Sequence, residues 1–193
     1  MLLKINLGEQ ILKKLEKITG VMRYNFLGFT LNLQDSDLTD NLKKSPEDVN
    51  TGIIQILSTL LTHYSEINST SLSGKLVKFK DLPGGYAYEG AFIKRGIQPI
   101  ESVFGENTDD LFKAAELLGG VKLEYGDAGV EIPALKTIPL TYILYGAEDY
   151  PGSANILYDE SASIYLPTED LAVLGEITTM RLIEAKKIVS KTS

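Results

Sequence analysis

The sequence contains no cysteine. Disulfides, thiolate zinc sites, cysteine-held iron–sulfur clusters and thiol nucleophiles are therefore excluded. Histidine occurs once, at His63, so no histidine-rich metal site can be assembled within the chain, and any Ser–His–Asp relay would have to use that one imidazole. Tryptophan is absent as well. No apolar run reaches the ~18–20 residues of a membrane-spanning helix. Residues 1–36 alternate apolar side chains with Lys and Glu instead of presenting a secretory leader. The expected location is the cytoplasm, with no membrane partner. Cations are scarce in one long stretch: residues 101–170 hold only Lys113, Lys122 and Lys136 against fourteen carboxylates, a local balance of −11 within a net charge of −7. A field of that sign repels phosphate backbones, so nucleic acid is not an expected partner.

What is present is a globular composition. At 193 residues, with 44% apolar and 23% charged side chains, the chain is long enough to bury roughly two-thirds of its unfolded surface without a staple. No repeat or low-complexity linker divides it. The expectation is a single α+β domain over residues 1–193. A mostly antiparallel or mixed sheet packs against a central amphipathic helix over about 46–67 and a C-terminal helix over about 168–189.

Residues 9–18 carry Ile11, Leu12, Leu15 and Ile18 at helical spacing and end at Gly20, a short helix with a glycine cap. Phe29, Leu31 and Leu33 alternate with polar residues as a half-buried strand does, with residues 21–26 as the hairpin partner around Leu27-Gly28. Residues 35–46 read as a polar loop. In the next helix Val49, Ile53, Leu57, Leu60, Leu61 and Tyr64 fall on one side, with Ser45 as N-cap, Pro46 at the first position and Asp48 after it. Residues 76–79 are a short strand, broken by Pro83-Gly84-Gly85. A helix opens at Asn107-Thr108-Asp109-Asp110 and stops at Gly119-Gly120. Strands are expected at 121–125, 130–135, 140–145 and 154–158. Thr168 is the expected N-cap of the last helix, with Glu169 and Asp170 in its first turn. Its apolar arc comprises Leu171, Val173, Leu174, Ile177, Met180, Leu182 and Ile188.

The usual chemical signatures fail one by one. Gly74-Lys75 has Ser69 where a phosphate loop needs its first glycine and Leu76 where it needs a hydroxyl. The dinucleotide fingerprint is missing. Asp35-x-Asp37 would begin a calcium loop, but Asp40 stands where glycine is required and Pro46 where glutamate is. His63 falls at the border of its helix's apolar face and is expected to be an edge-of-core side chain with one hydrogen bond. Three acidic doublets remain, Glu148-Asp149, Asp159-Glu160 and Glu169-Asp170, each at a strand end or helix start. They shape turns and helix N-termini; if turns bring them together, they would bind Mg²⁺ or Ca²⁺ or form an acid–base pair. Ten tyrosines against six phenylalanines, with Tyr142, Tyr145, Tyr150, Tyr158 and Tyr165 in one segment, suit a cleft or interface as well as a packed sheet.

Several runs resemble a known family. They are residues 73–85, Ala91-Phe92-Ile93-Lys94-Arg95, Phe104-Gly105, Gly126-Asp127, Ile138-Pro139, Glu148-Asp149-Tyr150-Pro151, residues 155–159 and residues 165–170. Over about 51–174 the chain resembles an uncharacterised prokaryotic domain-of-unknown-function family, number 3786, typical of anaerobes. Some of its members carry a cysteine-rich N-terminal module thought to hold an iron–sulfur cluster. Without cysteine this chain cannot share that role, and it has Tyr145 and Tyr150 where the family has tryptophan and phenylalanine. The resemblance implies no activity, cofactor or catalytic residue.

The reading that follows is a non-catalytic accessory or binding protein acting through a protein partner or a small ligand. The alternative is an enzyme using carboxylate and tyrosine groups, with or without a divalent cation. Candidate ligand-binding positions are Gly84, Gly85, Arg95, Asp127, Glu148, Asp149 and Asp159; no catalytic residue, metal ligand or cofactor is assigned.

Overall fold

The computed structural model of the chain describes residues 2–43, 51–67, 71–147 and 151–190. Among these residues the fold is α+β, with two antiparallel sheets and a long C-terminal helix.

The smaller sheet is built by the N-terminal segment. Strand β1 (Leu2–Lys4) is followed by helix α1 (Glu9–Thr19), which Gly20 ends in the left-handed conformation (φ 73°). Strands β2 (Arg23–Phe26) and β3 (Phe29–Asn32) form the expected hairpin. Leu27 (φ 50°) and Gly28 (φ 74°) both take positive φ, as a two-residue turn matched to strand twist requires. The loop expected over 35–46 is corrected in part: Asp37–Asp40 is strand β4, which pairs with both β3 and β1, giving the order β1-β4-β3-β2. Its only apolar residue is Leu38, so the alternation that marks a strand is too short to see in sequence.

Helix α2 (Thr51–Tyr64) buries Ile53, Leu57, Leu60, Leu61 and Tyr64, the face its periodicity predicts, and packs on α1. Ser45, Pro46, Asp48 and Val49 lie outside the described residues. The larger sheet has the order β5-β9-β8-β7-β6, from β5 (Leu76–Lys78), β6 (Val121–Leu123), β7 (Ala128–Leu135), β8 (Ile138–Tyr145) and β9 (Ser153–Asp159). Its helices are α3 (Gly85–Phe92), α4 (Gln98–Phe104), α5 (Asp109–Leu117), the single turn α6 (Ala162–Tyr165) and α7 (Thr168–Val189). Helix α7, more than α2, sits at the centre, meeting α3, α4, α5, α6 and β7.

Two expectations about α7 are corrected. Thr168 is not its N-cap: the hydroxyl donates to the Pro83 carbonyl (2.5 Å), and Pro167 precedes the first turn. Met180 is exposed while Arg181 is buried. The helix face that turns inward runs Leu174, Thr178, Arg181, Ala185 at three- and four-residue spacing, and Met180 falls beside it. No described helix is long and apolar enough to cross a membrane.

Between α3 and α4 the chain is π-helical over Ile93–Ile97. Pro99 supplies one cause: in a regular helix its ring would clash with the carbonyl four residues back, at Arg95. The crossing of α7 supplies the other. A Cβ added to Gly175 would lie 2.4 Å from the Tyr158 hydroxyl and 2.6 Å from the Phe92 ring, and one added to Gly96 would lie 3.3 Å from Phe92. Gly175 therefore lets α7 press against Phe92 and Tyr158, Gly96 makes room for Phe92 and Ile156, and Thr179 Oγ1 donates to the Gly96 carbonyl (2.9 Å) within the widened turn.

Candidate functional site

Those residues singled out from sequence that the structure describes do not converge on one site. Gly84 (φ 79°) turns the chain into α3, and Gly85 has no room for a side chain, since a Cβ would lie 2.0 Å from the Phe79 carbonyl oxygen. Arg95 pairs with Glu176 of α7 (2.9 Å). Asp127 accepts the Gly146 N–H (2.7 Å) at the Leu144 end of β8, whereas Asp159 lies beyond the Leu140 end of the same strand. Glu148, Asp149 and Tyr150 lie outside the described residues. Of the doublets, Glu160 pairs with Lys75 (2.6 Å), Glu169 accepts from the Tyr88 hydroxyl (3.0 Å), and Asp170 meets His63 Nδ1 (2.5 Å). His63 is exposed, more open than the edge-of-core position expected for it, with one side-chain hydrogen bond among the described residues. Among the described residues no group of three His, Asp or Glu is placed to hold a metal ion.

Asp159 is the most tightly held of these. Its carboxylate is buried and accepts five hydrogen bonds: from Ser73 N–H (2.9 Å) and Oγ (2.8 Å), Gly74 N–H (2.7 Å), and Ser161 N–H (2.9 Å) and Oγ (2.5 Å). Burial by itself would raise its pKa, but the bonds from Ser161 and Ser73 outweigh that and hold the carboxyl well below the usual carboxylate range. Four of these bonds converge on Oδ1 and one on Oδ2, and together they fasten residues 73–74 and 161 to the end of β9. The buried tyrosines are likewise structural. Tyr158 donates to the Leu171 carbonyl (2.8 Å) and Tyr142 to the Gly175 carbonyl (3.3 Å). Burial pushes both phenols far up, which removes them as acids or bases near neutral pH.

The arrangement with free chemistry lies elsewhere, at the edge of the larger sheet. Strand β5 pairs only with the C-terminal part of β9: Leu76 with Asp159, Val77 with Tyr158 and Lys78 with Leu157. The chain then turns into a 3₁₀ segment (Phe79–Asp81). Ser153–Ile156 is paired on the β8 side alone among the described residues. In place of a neighbouring strand, the Glu101 carboxylate reaches in from α4 and accepts the Ala154 N–H (3.0 Å). The vacated edge and the π-helical turn enclose a cavity of about 220 Å³. Its floor is apolar: Phe79 stacks on Phe92 (centroids 4.3 Å apart), both rings lean on Tyr158, and Ile93, Ile97 and Ile156 complete it. Its rim carries Lys78, Lys80, Glu89, Glu101 and Asn155. Lys80 and Glu89 stand 3.6 Å apart, and the Lys78 ammonium has no partner among the described residues.

The family comparison can be set beside this geometry. Residues 14–181 match the family described as a domain of unknown function, DUF3786. The chain belongs to that family. The DUF3786 match is wider than the stretch 51–174 on which the resemblance rests; it takes in most of α1, the hairpin β2–β3 and β4, and it contains the whole β9-edge cavity. Comparison with curated proteins and with solved structures finds no match.

The sequence reading missed the cavity. The signal available to it was Pro99 three residues after Gly96 in an otherwise helical apolar run, which marks a break in regular helix.

Proposed function

We propose that this protein is a non-catalytic accessory protein that binds a small ligand in the β9-edge cavity, in the cytoplasm of an anaerobic prokaryote as its family resemblance implies. The observation that carries this reading is the cavity itself: an apolar floor of stacked rings with the Lys78 ammonium, unpaired among the described residues, and the Glu101 carboxylate at its rim, an apolar surface with a few polar groups being what small-molecule sites present. Its lining has no hydroxyl, imidazole or thiol, so a Ser–His or Cys–His pair cannot be built from it. The enzymatic alternative is less well supported, with Asp159 engaged by five hydrogen bonds in holding two segments together and the core phenols held protonated. The test is a fragment screen by ligand-observed NMR on the whole chain and on Ile93→Trp, in which an indole enters the cavity from its half-buried wall. The expected result is a set of fragments whose binding falls at least about tenfold in the variant, with the circular dichroism unchanged. Binding that ignores the indole, or none at millimolar fragment, overturns the reading.

A protein partner is the second reading, favoured by Tyr86 (80% exposed) on α3 and Ile164 (73% exposed) on α6. Tyr88 of α3 donates to Glu169 and Pro83 just before α3 accepts from Thr168, both in the first turn of α7, which follows α6 in the chain. Aromatic and aliphatic side chains so exposed are the kind that interfaces bury. A Tyr86→Ser, Ile164→Ser protein that keeps its stability and loses a partner held by the parent would support it.

A further inference from the structure

The charges on the cavity rim have an order along β9. Lys78 is in register with Leu157, and Glu101 is bonded at Ala154. Three residues of strand, about 10 Å at 3.3 Å per residue, separate the backbone positions beside which the two side chains stand. Lys80 and Glu89 face each other and cancel. One uncompensated cation is thus left at one end and one carboxylate at the other, the latter engaged by a neutral N–H, with Phe79, Ile93, Ile97 and Ile156 between them. An anion alone would bring a like charge toward Glu101, and a cation alone toward Lys78. An apolar molecule would desolvate both charges without pairing either. A ligand with separated charges of both signs satisfies the site.

The strand edge adds a second constraint. The Ala154 N–H points away from β8 and is held by Glu101, and the Ala154 carbonyl shares that side, so an extended backbone laid there meets a main-chain acceptor beside the Glu101 carboxylate. The ends of an extended tripeptide are themselves about 10 Å apart. At about 220 Å³ the cavity is below the roughly 300–1,000 Å³ of sites for drug-sized molecules, which restricts side chains to small ones. Resting on the ligand-binding reading above, we propose that the occupant is a short extended peptide of about three small residues with free termini. Its ammonium lies at Glu101 and its carboxylate at Lys78, and it runs parallel to β9.

The test is calorimetric titration of the whole chain with trialanine, N-acetyl-trialanine, trialanine amide and the doubly capped peptide, repeated on Lys78→Met and Glu101→Gln. Glutamine keeps an acceptor for the Ala154 N–H and removes only the charge. The expected result is that trialanine binds and that blocking either terminus weakens binding at least about tenfold. Lys78→Met should no longer distinguish trialanine from its amide, and Glu101→Gln should no longer distinguish it from the acetylated peptide. Equal affinity for free and capped peptides overturns the proposal while leaving a ligand-binding cavity. So does an absence of trialanine binding when fragments still bind in a manner blocked by Ile93→Trp. If neither fragments nor peptides bind, both readings fall.

Discussion

Arg181 is 1% exposed, and everything around its guanidinium answers to it. Nη1 and Nη2 donate to the two oxygens of Asp40 (3.0 and 2.7 Å), Nη1 also to Glu184 (2.7 Å), and Nε to the Leu27 carbonyl (2.9 Å). The Phe29 ring lies beneath, its centroid 4.0 Å from Cζ. The positive φ of Leu27, uncommon for a residue with a branched side chain, is held by that carbonyl bond and by complete burial. Removing one member of a buried pair strands the other, so Arg181→Met should cost about 3–5 kcal/mol in urea unfolding, and Asp40→Leu added to it should restore most of the loss. A single-variant effect under about 1 kcal/mol would show that the pair is not desolvated. Asp159 makes a pH-dependent contribution. Its pKa is depressed in the folded state, so its stabilisation is present above the ordinary carboxylate value near 4 and is lost as pH falls below that value toward the depressed one. Asp159→Asn turns an amide N–H₂ toward existing donors and should cost about 1–3 kcal/mol at neutral pH. The gap between parent and variant should shrink on acidification below about pH 4; a gap constant down to about pH 3 would contradict the assignment.

The elements meet where small residues permit it. Helix α7 lies close against the π-helical turn because Gly175 and Gly96 leave room for Phe92, Tyr158 and Ile156. The widened turn then finds a partner for its Gly96 carbonyl in Thr179. Gly175→Ala should therefore destabilise the protein by about 1–3 kcal/mol through overpacking. Gly90→Ala, inside α3 with nothing within 4 Å of its added methyl, should stabilise it by about 0.5–1 kcal/mol through helix propensity. Thermal melts of the two variants moving in opposite directions would check both. Movement in the same direction would mean that the crossing is looser than its distances. The same crossing shapes the candidate site, since the π-helical turn forms the wall carrying Ile93 and Ile97.

At the scale of the whole molecule, the two sheets share few backbone contacts and are joined by side chains. Lys136 donates its N–H to the Tyr24 hydroxyl (2.9 Å) and its ammonium to the Thr19 carbonyl (2.8 Å). Thr137 and Tyr64 bind each other twice (3.0 and 3.1 Å), and the Arg181–Asp40 pair spans α7 and β4. The Arg181–Asp40 pair and the Thr137–Tyr64 link are buried, which makes separate melting of the small sheet unfavourable because each would be broken at a buried end. The expected outcome is one cooperative urea transition, coincident by near- and far-ultraviolet circular dichroism. Two separated transitions would show the N-terminal sheet to be an independent unit.

Local pattern was enough for much of this. The burial of α2, the Leu27-Gly28 hairpin, the glycine stop of α1 and the span of α7 each depend on residues within one or two turns, where periodicity and φ preference act directly. The absence of a cysteine-based site follows from composition alone. Tertiary structure decided the rest. Arg181 and not Met180 faces inward because its partner Asp40 lies 141 residues away in sequence, and a charge can be buried only where such a partner waits. Asp159 became a hub because two separate segments bring it donors, and its neighbour Glu160, in the turn past the end of β9, stayed a surface ion pair. The cavity belongs to no segment. It exists because β5 leaves β9 after three residues and because Pro99 and α7 force one wide turn opposite the gap, a meeting of distant parts that no local pattern encodes.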